Sequence, residues 1–166
     1  MALKADRYEE STDISFFYDN DTATRGGVVV LENVPDALAS GAAMDQGANL
    51  CAYATAAATD IPVGILMNDV VNKDLTRTHL NQHKDEVQKG GKVTIMTRGT
   101  VVTSNITGTP TPGKLAYADS ATAGNITVGP IAPASSGTLC IGRWASYKDS
   151  DGYAKLNVNL PQNHGA

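Results

Sequence analysis

The chain has 166 residues, with 13 basic against 17 acidic side chains and a formal charge of −4. That is one domain's worth of core, with no basic field to gather nucleic acid and no apolar run of the roughly 18–20 residues that a membrane span needs. Charged residues are 18% and aromatics 5%, and Leu, Ile, Val and Phe together fill 34 positions, so small residues with 16 Gly and 7 Pro take up the remainder. This suits short strands and many turns rather than a helical bundle.

Residues 1–24 stand apart. Charged residues from Lys4 to Glu10 offer no apolar stretch of the kind a secretory signal carries. They are followed by Ile14, Phe16, Phe17 and Tyr18, the densest aromatic cluster, and by the turn formers Asp19-Asn20-Asp21. Gly26-Gly27 opens a β-branched run, Val28 to Leu31, that reads as a strand. The Ala-rich stretch 37–58 is punctuated by Gly41, Gly47 and Thr55, which predicts a short turn or helix near Asp36 to Ala43 and then a strand. Ile61 to Met67 is a further strand, closed at Asn68-Asp69. Val71 to Gln88, the most polar internal stretch, predicts a loop or a short helix around Leu75 to His83.

Lys92 to Arg98 alternates with period two, placing Val93, Ile95 and the Thr97 methyl on one face, and continues through a bulge at Gly99 into Thr100 to Thr103. Leu115 to Ala118 and Leu139 to Tyr147 read as strands around a loop-rich 119–138. Asp149 to Gly152 is a hairpin turn into the alternating run Tyr153 to Leu160. The expected core includes Val93, Ile95, Val101, Leu115, Ile141 and Leu156. Asn49 to Ala54 echoes Gly113 to Ala118, each followed by a Gly-bearing apolar strand (Val63-Gly64-Ile65, Ile141-Gly142-Arg143). The echo suggests two related hairpins in one small β-barrel or sandwich.

Chemical motifs are sparse. His79 and His83 would share a helical face as i,i+4 metal ligands, with Glu86 beyond them, but no HExxH glutamate lies between. A solvated polar loop is the preferred reading. Asp149, Asp151 and Gly152 resemble the start of a calcium loop, yet its twelfth position is Leu160, so a hairpin turn is preferred. Cys51 and Cys140 lack CxxC spacing and read as buried free thiols. Trp144 beside Arg143 reads as a core or subunit-interface anchor. No cofactor and no catalytic constellation is expected.

Val63-Gly64-Ile65-Leu66 with Asp69-Val70, Gly90-Gly91-Lys92 through Gly99, Pro112-Gly113-Lys114-Leu115-Ala116-Tyr117 and Ile141 to Trp144 together resemble the decoration (cement) proteins of tailed-bacteriophage capsids, over roughly residues 26–147. The resemblance implies a non-enzymatic virion protein, made in the host cytoplasm. It would sit on the outside of an expanded icosahedral head as a homotrimer, contact the major capsid protein, and bind neither nucleic acid nor membrane. The competing readings are a head fibre or host-attachment β-protein, and a small metal-binding β-barrel enzyme.

Consecutive Phe16 and Phe17 cannot both face one core on a strand. Residues 1–24 are therefore expected to form an extended arm on a β domain of residues 25–166; the alternative is an edge strand of the same domain, with Phe17 under a loop. In the arm reading Ile14, Phe16, Phe17, Tyr18, Arg143 and Trp144 are the candidate contacts to the capsid or a neighbouring subunit.

Overall fold

In the computed structural model the described residues are 3–4, 7–19, 23–32, 49–55, 60–69, 86–87, 90–129 and 140–160. Among them there is no helix. The strands, in order, are β1 (Tyr8–Asp13), β2 (Phe17–Tyr18), β3 (Ala23–Thr24), β4 (Val28–Leu31), β5 (Leu50–Tyr53), β6 (Pro62–Asp69), β7 (Glu86–Val87), β8 (Val93–Thr103), β9 (Ile106–Thr107), β10 (Leu115–Ala118), β11 (Ile126–Val128), β12 (Cys140–Trp144) and β13 (Ala154–Asn159). The turn or helix expected near Asp36 to Ala43, and the loop carrying His79 and His83, lie outside the described residues.

Eleven strands form one mixed sheet in the order β2-β5-β4-β6-β8-β13-β12-β10-β11-β9, with β1 alongside β8; β3 and β7 pair separately. The fold is all-β and sandwich-like. The sheet does not close into a barrel.

The organising element is β8, whose 11 residues serve two groups of strands. Its first half, Val93 to Met96, pairs with β6, and its second half, Arg98 to Thr103, pairs with β13. β1 pairs with residues 95–100, which also face β6 or β13, so β1 occupies the opposite edge of β8. The expected alternation holds at Val93 and Ile95, but Met96 is buried as well. The reason is that the sheet is covered on both faces there. Val29, Leu66, Val93 and Ile95 join one hydrophobic cluster with Tyr18 and Cys51, while Val28, Ile65, Met96 and Val101 join a second, larger cluster with Trp144, Ile141 and Leu156. Neighbouring residues of β4, β6 and β8 thus feed opposite cores.

Of the expected core residues, Val93, Ile95, Val101, Ile141 and Leu156 are fully buried. Leu115 is 40% exposed, because it stands opposite Arg143 on the outer face while its neighbour Ala116 turns inward. Ile141 reaches the core through a register shift between Ala116 and Tyr117, which leaves β12 an extra residue. The echoed segments do not form equivalent hairpins: β10 pairs directly with β12, whereas β4 separates β5 from β6. Their glycines nevertheless serve one purpose. A Cβ on Gly64 would strike the Met96 carbonyl, and one on Gly142 the Asn157 carbonyl. Gly142→Ala is therefore expected to push β12 off β13 and to cost about 2–3 kcal/mol, read as a lowered urea midpoint.

Both cysteines are free thiols; Cys51 is buried and Cys140 half-buried. Burial, helped by the charge of Glu32, pushes the Cys51 thiol up to about 12. Burial raises Cys140 too, opposed by a backbone hydrogen bond from Gly142 and by the charge of Arg143. At pH 8, iodoacetamide is expected to label Cys140 slowly and Cys51 only once the protein is unfolded. Equal labelling rates in the native state would contradict this burial.

Candidate contact surface

Leu3, Lys4, β1, Phe16 and β2 all pair with strands of the main sheet or their lead-ins. Leu3 is 6% exposed and bridges Thr103, and the Lys4 amide donates to the Val102 carbonyl at 2.9 Å. β1 continues down β8, and Phe17 bridges Lys92. The segment therefore runs antiparallel along the whole of β8 and its lead-in. Phe17 and Tyr18 of β2 then pair in parallel with Leu50 and Cys51 of β5.

The expected separation of Phe16 and Phe17 is resolved within the chain. Phe16 packs on the cluster around Tyr18, and both Phe residues are half-buried. Tyr18 itself is 1% exposed and meets Tyr53 edge-on at 6.0 Å. Ile14 is 51% exposed. A salt bridge fastens the start of the segment, with Lys4 Nζ 2.7 Å from Asp149 Oδ2 and 4.4 Å above the Tyr153 ring.

Lys4 is half-buried and Asp149 exposed, with side chains 37% and 42% accessible, and each strengthens the charged form of the other. The Asp149 hydrogen bond raises Lys4, and Lys4 together with the Tyr153 amide lowers Asp149. The Asp149 contribution is present above the ordinary carboxylate range and fades as pH falls through its lowered folded value. Asp149→Asn is accordingly expected to lower the melting temperature slightly at pH 7 and not at all at pH 2.

The remaining candidates lie on the other group of strands. Arg143 and Trp144 are neighbours on β12 and point to opposite faces. Trp144 is 1% exposed and belongs to the larger core, opposite Leu156. Its Nε1 is buried with no hydrogen-bond partner among the described residues. Arg143 is exposed, and its Nη1 donates to the Gly113 carbonyl at 2.8 Å.

Register sets what surrounds Arg143, since directly opposed residues share a face. Tyr8 opposes Thr100, Thr100 opposes Asn157, Asn157 opposes Arg143, and Arg143 opposes Leu115. This row crosses β1, β8, β13, β12 and β10 on the outer face, with exposed Tyr8 (65%) and Leu115 at its ends. β13 adds Lys155 and Asn159 to the same face through its strict in-out alternation. Thr100 Oγ1 donates to Asn157 Oδ1 at 2.9 Å and Arg98 Nε to Asn159 Oδ1 at 3.1 Å, fixing the polar side chains across strands. Sequence reasoning singled out Arg143 but missed Tyr8, Leu115, Lys155 and Asn157. The strand pairing that aligns them is not written in any local motif, although the alternation of residues 153–160 already placed Lys155 and Asn157 on one side.

The outer face of β1, β8, β13, β12 and β10 is thus an open surface of mixed polar and apolar side chains, backed by the larger core cluster. The sequence matches the phage structural cement protein family (E217 gp24/Pam3 gp6) over residues 11–159, and the chain belongs to that family. A search of curated proteins found no match. The matched span takes in part of β1, all of β2 and all of β13, beyond the roughly 26–147 that the sequence motifs covered.

Proposed function

We infer that this chain is a non-enzymatic structural component of a phage virion that binds the outer surface of an icosahedral head, as a homotrimer, and bridges neighbouring capsomers. The single observation that carries the reading is membership of the structural cement protein family across residues 11–159. The fold supports it: a sheet in which β8 ties both groups of strands together suits a part whose task is to resist load. The mechanism is mechanical. Each bound oligomer adds contacts that internal DNA pressure must break before the shell opens.

The contact is made by side chains that this chain leaves uncovered, Ile14 and Arg143 first, with half-buried Phe16 and Phe17 as secondary anchors. Tyr18 and Trp144 back them from within the core. The test is co-sedimentation of the purified protein with expanded heads that lack it. Saturable binding at a fixed ratio per capsomer is expected, together with a trimer mass in light scattering. Heads that sediment without the protein at micromolar concentration would refute the reading.

A further inference from the structure

Charge is unevenly distributed over this acidic chain. On the outer face of β8, β13, β12 and β10, Arg98, Arg143 and Lys155 are all exposed. The carboxylate that meets them there is Glu10, 3.9 Å from Arg98 Nε. Arg143 spends one N–H on the Gly113 carbonyl, and neither Arg143 nor Lys155 has a carboxylate partner among the described residues. Between these cations the register row sets Thr100 and Asn157, and Tyr8 and Leu115 close it at either end.

We propose that this outer face is the docking surface for an acidic protein surface on the capsid, with Arg143 and Lys155 taking its carboxylates and Tyr8 and Leu115 covering apolar contacts at the margins. The proposal deepens the reading above and rests on it. Three features select the occupant. First, the two cations without carboxylate partners among the described residues lie on one face of a chain whose net charge is −4, so a partner of opposite sign gains both attraction and orientation. Second, the chain shows the pairing in miniature: β1, rich in Glu and Asp, lies beside β8 and delivers Glu10 to Arg98. Third, a second copy of the same face would bring two further Arg143 and Lys155 cations and no added carboxylate beyond Glu10, so it complements the patch less well than an acidic surface does. Exposed Tyr at an interface supplies contact area at low entropic cost, which suits Tyr8 to the rim of such a patch.

The experiment compares the wild type with Arg143→Glu/Lys155→Glu on expanded heads lacking the protein, in 50 and 300 mM NaCl. The softer pair Arg143→Gln/Lys155→Gln is run in parallel in case charge reversal hinders folding. Both sites are exposed, so near-native melting is expected. Ile61→Asp serves as the control. It is a 58% exposed residue immediately before β6, in the other group of strands.

The expected result is salt-sensitive wild-type binding, a loss of about tenfold or more in affinity for the reversed pair, a smaller loss for the neutral pair, and no change for Ile61→Asp. If wild type binds and the reversed pair binds equally well, or Ile61→Asp alone abolishes binding, the proposed face is wrong while the capsid role stands. If wild type does not bind heads at all, the capsid role itself fails. Two results would assign the face to a different occupant and overturn the proposal. One is equal affinity of wild type for double-stranded DNA; the other is loss of self-association, but not of head binding, in the reversed pair.

Discussion

Removal of residues 1–18 is expected to leave no cooperatively folded protein, rather than a folded domain stripped of an appendage. The deletion takes away Leu3 and Tyr18, at 6% and 1% exposure. Full burial of two such side chains is worth about 3–6 kcal/mol. It also removes the ladder that β1 makes along one edge of β8 and the bridge of Phe17 to Lys92. A domain of this size has only about 5–15 kcal/mol to lose. Far-UV circular dichroism during a urea titration reads the outcome: the truncated chain should lack a sigmoidal transition. A sharp transition at the wild-type midpoint would mean that the pairing of residues 3–18 with β8 contributes nothing. A milder cut, removing residues 1–7, should keep the transition but move it to lower urea, because β1 stays while Leu3, the Lys4 contacts with Val102, Asp149 and Tyr153, and the Arg7–Glu9 ion pair are lost.

Trp144→Ala is expected to destabilise the fold by about 3–5 kcal/mol, the range of large-to-small aromatic truncations in a packed core. The side chain is the largest of those fully buried and faces Leu156 across the β12–β13 pair. Strand pairing on both sides leaves its surroundings little freedom to collapse into the void. Trp144→Phe should cost far less, under about 1.5 kcal/mol. The ring it leaves fills much of the space, and the substitution deletes an indole N–H that is buried without a partner among the described residues. Thermal unfolding of the two variants checks both the sign and the gap between them. Were the Phe variant as damaged as the Ala variant, the indole nitrogen would be engaged after all.

Local alternation made much of the scaffold legible. Val93, Ile95, Val101 and Leu156 could be assigned to the interior because residues 92–103 and 153–160 alternate in period two, and a strand with one buried face must. The signal failed where the physics changed. Met96 breaks the alternation because both faces of β8 are covered there. Leu115 looked like core because it is a large aliphatic at a strand start, yet register places it opposite exposed Arg143. Ile141 is buried through a bulge, not through alternation. The two-residue strands β2 and β9, and the three-residue β11, are too short to leave a period in the sequence at all.

The docking surface was less legible than the fold. Arg143 drew notice because it adjoins the lone Trp, and only the pairing of five strands shows that Tyr8, 135 positions away in the chain, shares its row. The aromatic cluster near the N-terminus was conspicuous in the sequence, but its destination was not. Whether such a segment packs on its own sheet or on a neighbour depends on the edge of β8, a non-local feature.

The sharing of β8 between two groups of strands also bears on how the molecule takes a load. Two sheets that merely stack can slide, with side-chain friction as the only resistance. Here the β6 side and the β13 side are stitched to successive halves of one continuous backbone. A tug on either side travels through covalent bonds into the other, and sliding them apart would require many ladder hydrogen bonds to yield together in shear instead of one after another as in a zipper. A shell coated with such units would stretch as a linked mesh, with failure expected first at the joints between molecules and last inside them.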